Sequence, residues 1–356
     1  MLWNDRAEKA QQALDREFWN PSIRMYDIET PCPDGACNTI FHYWWMAHAV
    51  DGLADGLLRT GNERYAERLS ELYEGIRTKN GGAFPNLLYD DMEWMAIAWL
   101  RAYGATGEER YQETALSLWT DIQTGWNDTM GGGIAWHKEQ LGYKNTPANG
   151  PAAILAARLY RSFGREEDLA WAKRIYDWLK ANLVDPATGF VWDGMNRQGD
   201  GAIDKEWRFT YCQGVFIGAA VELYRATGDA AYLADAFRTA EAASEEWAGG
   251  ILPDEGDGDG GLFKGILVRY LTELVIEAHG TEHAVQSQTQ AEWLRRNAES
   301  LWATHGAHAG SPNLFGTDWR SAPAEKVTLS AQLSGVFLFE RLAELENREL
   351  VPASVR

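Results

Sequence analysis

The sequence predicts an all-α fold: an (α/α)6 barrel, a toroid of six helical hairpins. Three observations predict it: a recurring helix–glycine–helix segment, an alternation of two helix types, and an alternation of tight with long connections. The recurring segment reads "LLRTGNERYAERL" at 57–69, "AYGATGEERYQETA" at 102–115, "LYRSFGREEDLAWA" at 159–172 and "LYRATGDAAYLADA" at 223–236, with a fainter copy "EAHGTEHAVQ" at 277–286. In each, an apolar helix end meets a glycine, a polar residue and a new helical period. Gly61, Gly107, Gly164, Gly228 and Gly280 fit the left-handed stop that ends a helix. The residues that follow cap the next one, making a short αα-hairpin turn.

Periodicity gives twelve helices, at about 5–18, 38–59, 63–78, 91–104, 108–124, 147–162, 166–182, 209–226, 229–247, 262–278, 283–304 and 328–346. Even-numbered helices, such as "GPAAILAARLY" and "GVFIGAAVELY", are apolar nearly all round, the pattern of a buried helix. Odd-numbered helices, such as "AWAKRIYDWLKANL", carry a charged face and belong outside. An open α-solenoid has the same local pattern, so closure of the ring does not follow from it. We expect one domain over residues 1–356.

Composition narrows the partners. The chain has 356 residues, 45% hydrophobic and 24% charged, which is globular. Its 33 basic against 52 acidic residues leave a net charge of −19. That field repels a phosphate backbone and an anionic bilayer, so neither nucleic acid nor membrane is an expected partner. Seventeen Trp, fourteen Tyr and twelve Phe suit either stacking on sugar rings or large-residue filling of a helical core. Three cysteines make no disulfide framework. Cys32 and Cys37, in "PCPDGAC", flank an Asp-Gly turn that allows a local bridge, with reduced thiols the expected state; Cys212 reads as a small core residue. No Cys/His cluster has metal-ligand spacing; we expect no metal, no cofactor and a monomer. The first helix lacks an apolar signal core, and no apolar run approaches the ~18 residues of a membrane span. The chain as given reads as cytoplasmic; with a leader removed it would read the same.

The long connections are 19–37, 79–90, 125–146, 183–208, 248–261 and 305–327. All lead into an apolar helix, so all emerge on one face. Loops this long are uncommon without a task. Theirs are rich in Trp, Asp, Asn and Gly, as in "GWNDTMGGGIAWHK", "GFVWDGMNRQGDG" and "SPNLFGTDWRS". This reads as a sugar-binding cleft. "DEGDGDGG" at 254–261 lacks the closing Glu of an EF-hand and reads as a solvated acidic turn.

Asp90 and Asp91, in "YDDMEW", stand where such a loop enters a helix. Asp90 as N-cap with Glu93 three residues on would be a capping box. One capping acid suffices, however, and the second is then surplus. Glycoside hydrolysis needs two carboxyl groups, about 5–5.5 Å apart in retaining enzymes and ~6.5–9.5 Å in inverting ones. Neighbouring residues favour the shorter separation and a double displacement. One acid attacks the anomeric carbon while the other protonates the leaving oxygen and then activates water.

Other candidates face the same cleft if the ring closes. Asn145 and Asn149, in "KNTPANG", either bind sugar hydroxyls or cap a helix. Trp192 and Asp193, in "VWDG", either meet a sugar or form a plain turn beside a packed Trp. Tyr211 and Gln213 begin an inner helix. Trp94 lies one turn into the helix of the acid pair, as core or as a stacking face. Trp136 and His137 follow three glycines. Phe263 and Lys264 either border a subsite or serve packing and charge pairing. The remaining histidines have no convincing ligand spacing.

The motif "YDDMEWMAIAWLRAY", followed in order by "GGGIAWHK", "KNTPANGPAAILAARLY", "GFVWDGMN", "YCQGVFIGAAVELY" and "FKGILVRYL", resembles glycoside hydrolase family 76, the endo-α-1,6-mannanases. The match runs from about residue 38 to 278. The resemblance implies an (α/α)6 barrel, retaining hydrolysis of α-1,6-mannosidic bonds and no catalytic metal. It assigns Asp90 as nucleophile and Asp91 as acid/base. Members are often secreted, so the missing leader makes internal manno-oligosaccharides a substrate class beside external mannan. A transglycosylase on the same fold and a non-catalytic helical glycan-binding protein remain alternatives.

Overall fold

The structure is a computed structural model and describes residues 2–248, 250–304 and 313–351. Residues 305–312, which open the sixth long connection and include His305 and His308, lie outside the described residues. The described residues form twelve α-helices: α1 (Leu2–Phe18), α2 (Tyr43–Thr60), α3 (Glu63–Lys79), α4 (Tyr89–Thr106), α5 (Glu109–Ile122), α6 (Gly150–Phe163), α7 (Glu166–Leu183), α8 (Thr210–Thr227), α9 (Ala230–Glu246), α10 (Gly260–Ala278), α11 (Ala284–Thr304) and α12 (Leu329–Asn347). Every expected helix is present. The largest departure is at 38–42, which stays outside α2. Even-numbered helices are buried nearly all round and odd-numbered ones along a face. Gly61, Gly107, Gly164, Gly228 and Gly280 all have positive φ, a conformation that costs a side-chain-bearing residue.

The chain divides into two compact units. The first holds Met1–Ala83, Arg101–Glu108 and Trp247–Arg356; the second holds Phe84–Leu100 and Glu109–Glu246. In the first, α12 packs against α10, α1 and α2. The Glu346 carboxylate accepts from the backbone N–H of Leu2, Trp3 and Asn4 at 3.0, 3.1 and 3.3 Å. These are the orphan donors at the positive end of α1, so the last helix caps the first. Asp55, near the end of α2, takes Arg101, Arg269 and Arg341 on one buried carboxylate. In the second unit α6 packs against α7 and α8, and α8 against α9. Here Glu222 gathers Arg158, Arg161 and Arg225 at 2.7, 2.7 and 3.0 Å.

Short strands order the long connections. β1 (Trp19–Asn20) pairs with β2 (Met25–Tyr26), and β3 (Glu29–Thr30) with β7 (Val327–Thr328). β4 (Ala135–His137), β5 (Gln140–Asn145) and β6 (Gly194–Met195) form an antiparallel sheet. Cys32 and Cys37 are bridged, with α-carbons 5.8 Å apart. The expectation of reduced thiols is corrected: the Asp-Gly turn brings them within bridging range. Cys212 is buried, as expected.

A further device repeats. A side-chain amide at an inner helix start grips backbone of the preceding connection. Asn149 accepts from Ile134 N–H at 2.8 Å and donates to Ile134 C=O at 3.0 Å. Gln213 does the same to Val191, at 2.8 and 2.7 Å. In the first unit Gln332 accepts from Phe315 N–H at 3.0 Å and donates to Asn313 C=O at 3.1 Å. Buried backbone groups need such partners.

Candidate active site

The acid pair sits inside the first turn of α4 rather than at its cap. The Leu88 carbonyl accepts from Met92 N–H at 3.3 Å, which makes Leu88 the residue that flanks the helix. The capping box of Asp90 with Glu93 is therefore corrected. Asn86 does the local work instead: its Oδ1 accepts from Leu88 N–H at 2.9 Å, an Asx-turn that aims the chain into the helix. Its Nδ2 donates to Asp91 Oδ2 at 3.1 Å.

The two carboxylates have different holders. Asp90 is half-buried. Its Oδ1 accepts from Asp91 N–H at 2.9 Å and its Oδ2 from the Trp136 indole N–H at 3.1 Å. Asp91 is buried, anchored by Asn86. Trp136 reaches Asp90 because the connections are stitched together: Leu88 bridges His137, and Lys138 N–H donates to Leu87 C=O at 2.9 Å. Gly133 sits behind, at φ +85, where a Cβ would meet the Trp178 ring at 2.8 Å.

A buried polar chain leads on from Trp136. Its ring meets Tyr143 edge-on, with centroids 5.9 Å apart at 75°. Tyr143 and Tyr211 donate to the two oxygens of Asp193, at 3.2 and 2.7 Å. Burial pushes the Asp193 carboxyl up despite these donors. Lys144 is fully buried, with Nζ donating to Gly133 C=O at 2.6 Å; burial lowers its pKa to about 8.

Of the candidate residues, the structure brings Trp136 onto the acid pair and links Asp193 with Tyr211. Trp192 is buried, with Lys205 Nζ 4.6 Å from its ring centroid. His137 accepts from Glu139 N–H through Nδ1, a local turn. Asn145 is the cap of the two alternatives, its Oδ1 accepting from Ala148 N–H. Four sugar-binding expectations are corrected. Asn149 and Gln213 are fully buried and their amides are spent on loop backbone. Trp94 is buried as core. Lys264, in the first unit, is fully buried, donating to Pro253 C=O at 2.7 Å and to Thr317 C=O. Burial lowers its pKa to about 8.

Phe263 is half-exposed in the first unit, 6.3 Å from the Trp44 ring. Trp44 and Trp45 both donate their indole N–H to Asp259 Oδ1, at 3.0 and 2.9 Å. Asp259 stays exposed, as expected of the solvated turn "DEGDGDGG", while accepting both bonds. Neither these indoles nor Asn86 could be read from local periodicity, since their partners are set by how the connections pack.

An all-α chain of alternating buried and amphipathic helices, with adjacent carboxyls opening a buried helix, has the architecture of a helical-barrel glycosidase. The family model for glycosyl hydrolase family 76 matches residues 2–353. The chain belongs to this family. Its fold aligns with an α-1,6-mannanase of Salegentibacter sp. HEL1_6 at a TM-score of 0.90 and 42% identity, over 96% of this chain and 99% of that one. An inactive variant of that protein, with alanine for two consecutive aspartates, is in complex with α-1,6-mannotetrose. A Listeria innocua protein aligns at 0.90 and 40% identity, over 97% of this chain and 98% of its own. A mannan endo-1,6-α-mannosidase of Candida glabrata is 28% identical over 206 residues, 52% of this chain and 46% of that protein. The chain spans about half the length or less of the curated relatives it matches most strongly. The fold class is the (α/α)6 barrel expected from the sequence.

Proposed function

We propose that the chain hydrolyses α-1,6-mannosidic linkages by double displacement, with Asp90 as nucleophile and Asp91 as acid/base. The observation that carries this reading is two neighbouring carboxyls in one helical turn, each steadied by its own donor, Trp136 and Asn86. The inactive relative changed at two consecutive aspartates supports it, as do relatives described as mannan endo-1,6-α-mannosidases.

In the first step an Asp90 oxygen bonds to the anomeric carbon. The bond from that carbon to the glycosidic oxygen breaks, and Asp91 gives its proton to the leaving oxygen. In the second, Asp91 takes a proton from water, the water oxygen bonds to the anomeric carbon, and the ester to Asp90 breaks. The backbone N–H of Asp91 and the indole N–H of Trp136 hold the Asp90 carboxylate in one orientation throughout. The first turn of α4 adds its positive dipole end to the field at both acids.

The test is incubation with α-1,6-mannan, with products followed by chromatography and by proton NMR. New short oligomers whose first-formed anomer is α support the reading. A β anomer overturns the double displacement, longer products replace hydrolysis with transfer, and an unchanged polymer overturns the activity.

A further inference from the structure

Glu93 lies three residues beyond Asp90 on α4, one turn along the same stripe of the helix. It is entirely buried, and neither of its carboxyl oxygens has a side-chain hydrogen-bond partner. The rest of that helical turn, Met92, Trp94, Met95 and Ala96, is buried too. An isolated carboxylate in such surroundings takes a proton instead of a charge. Burial first, and the charge of Asp90 second, push its pKa well above the ordinary glutamate value; the backbone of Ala152 pulls the other way and is outweighed. Among the described residues, Asp90 is the one ionisable side chain named as acting on it. From α6 it meets backbone, and the residues there, Gly150–Ala153, have no titratable side chain. Neither step of the proposed reaction uses this group.

We propose that Glu93 is a positioning residue for the acid pair: it stands beneath Asp90 as a neutral carboxylic acid, and losing its proton disables the turn that carries both aspartates. This rests on the Asp90–Asp91 reading above. Ionised, Glu93 would be a like charge one turn from Asp90, and such pairs repel. The buried charge gains solvation only if the start of α4 opens to water. That start carries Asp90, Asp91 and their hydrogen bonds to Trp136 and Asn86. Activity then requires two protons to be held, one on the general acid and one on Glu93.

The experiment is the pH profile of kcat/KM on α-1,6-mannan for the unaltered chain and for Glu93→Gln, which keeps the shape and cannot ionise. The variant is expected to keep its optimum rate. Its alkaline limb should move up by about one pH unit and lose one proton's worth of steepness. Superimposed profiles, or a loss equal at every pH, overturn the proposal. Should Glu93→Gln fail to fold, carbon-13 carboxyl titrations of the unaltered chain and of Asp90→Asn decide. One glutamate should titrate late and move to lower pH when Asp90 is neutralised. Burial also pushes Glu340 up, but its neighbours are Arg59, Asp55 and Gln11, so it should stay in place. A late-titrating glutamate that ignores Asp90→Asn, or none at all besides Glu340, overturns the proposal. Full mannanase activity in Asp90→Asn would instead remove the functional reading. An inactive Asp90→Asn beside an unaltered Glu93→Gln profile would remove this inference alone.

Discussion

Asp90 and Asp91 are adjacent in the chain, yet each carboxylate takes a different side-chain donor. Asp90 meets an indole from a β-strand; Asp91 meets an amide from its own loop. Replacing either by Asn is expected to lower kcat by at least about 10²–10⁴-fold, with the helical circular-dichroism signal kept; mannan assays at the unaltered rate for both would refute the pair. Trp136→Phe keeps the ring and deletes one hydrogen bond to a charged group. That bond is worth about 1.5–3 kcal/mol, so a fall of roughly 10–100-fold in kcat/KM is expected; no change would mean the indole is only packing. The acids were legible because two adjacent like charges exceed what a helix cap requires. Glu93 left a trace as well, as a lone acid among the apolar residues of "MEWMAIAWL". Asn86 left none beyond being an Asn two residues before a helix, and its second bond is visible only once Asp91 is placed.

At the scale of elements, the amides at helix starts set the connections. Asn149 and Gln213 looked like sugar-binding residues because polar side chains opening a buried helix point toward the loop face. They do point there, and the loop backbone takes them. Removing such an amide strands a buried N–H and C=O. Gln213→Ala is expected to cost about 1–3 kcal/mol, read as a lower urea midpoint at unchanged m-value. An unaltered midpoint would show that water replaces the clamp. The pairing of Leu88 with His137 is the other element-scale event. Two- and three-residue strands carry too little periodicity to be read from sequence, yet this pairing sets Trp136 against Asp90.

For the molecule as a whole, buried ion groups tie helices together within each unit. Arg101 of α4 belongs to the first unit. With Arg269 of α10 and Arg341 of α12 it closes on Asp55 of α2. Burial alone would raise the Asp55 pKa; the three arginines outweigh it and hold the carboxyl far below the usual range. Its contribution to stability is thus complete above the unfolded-state value of about 4 and drains away as pH falls through the native one. Asp55→Ala leaves three arginines around an empty site and should cost about 3–5 kcal/mol. Thermal melts should show that loss at neutral pH and a smaller gap between variant and parent in acid. An equal gap at every pH would remove the hub from acid unfolding.

By itself the sequence determined the twelve helices, their alternation between buried and amphipathic, the turns at five glycines and the position of the acid pair. All of these are local or periodic properties, carried by spacings of a few residues. Only tertiary structure decided that Trp136 holds Asp90 and that Asn149, Gln213 and Lys264 serve the loops. Those outcomes depend on where a second segment runs, and a hydrogen bond between segments far apart in the chain leaves no period behind.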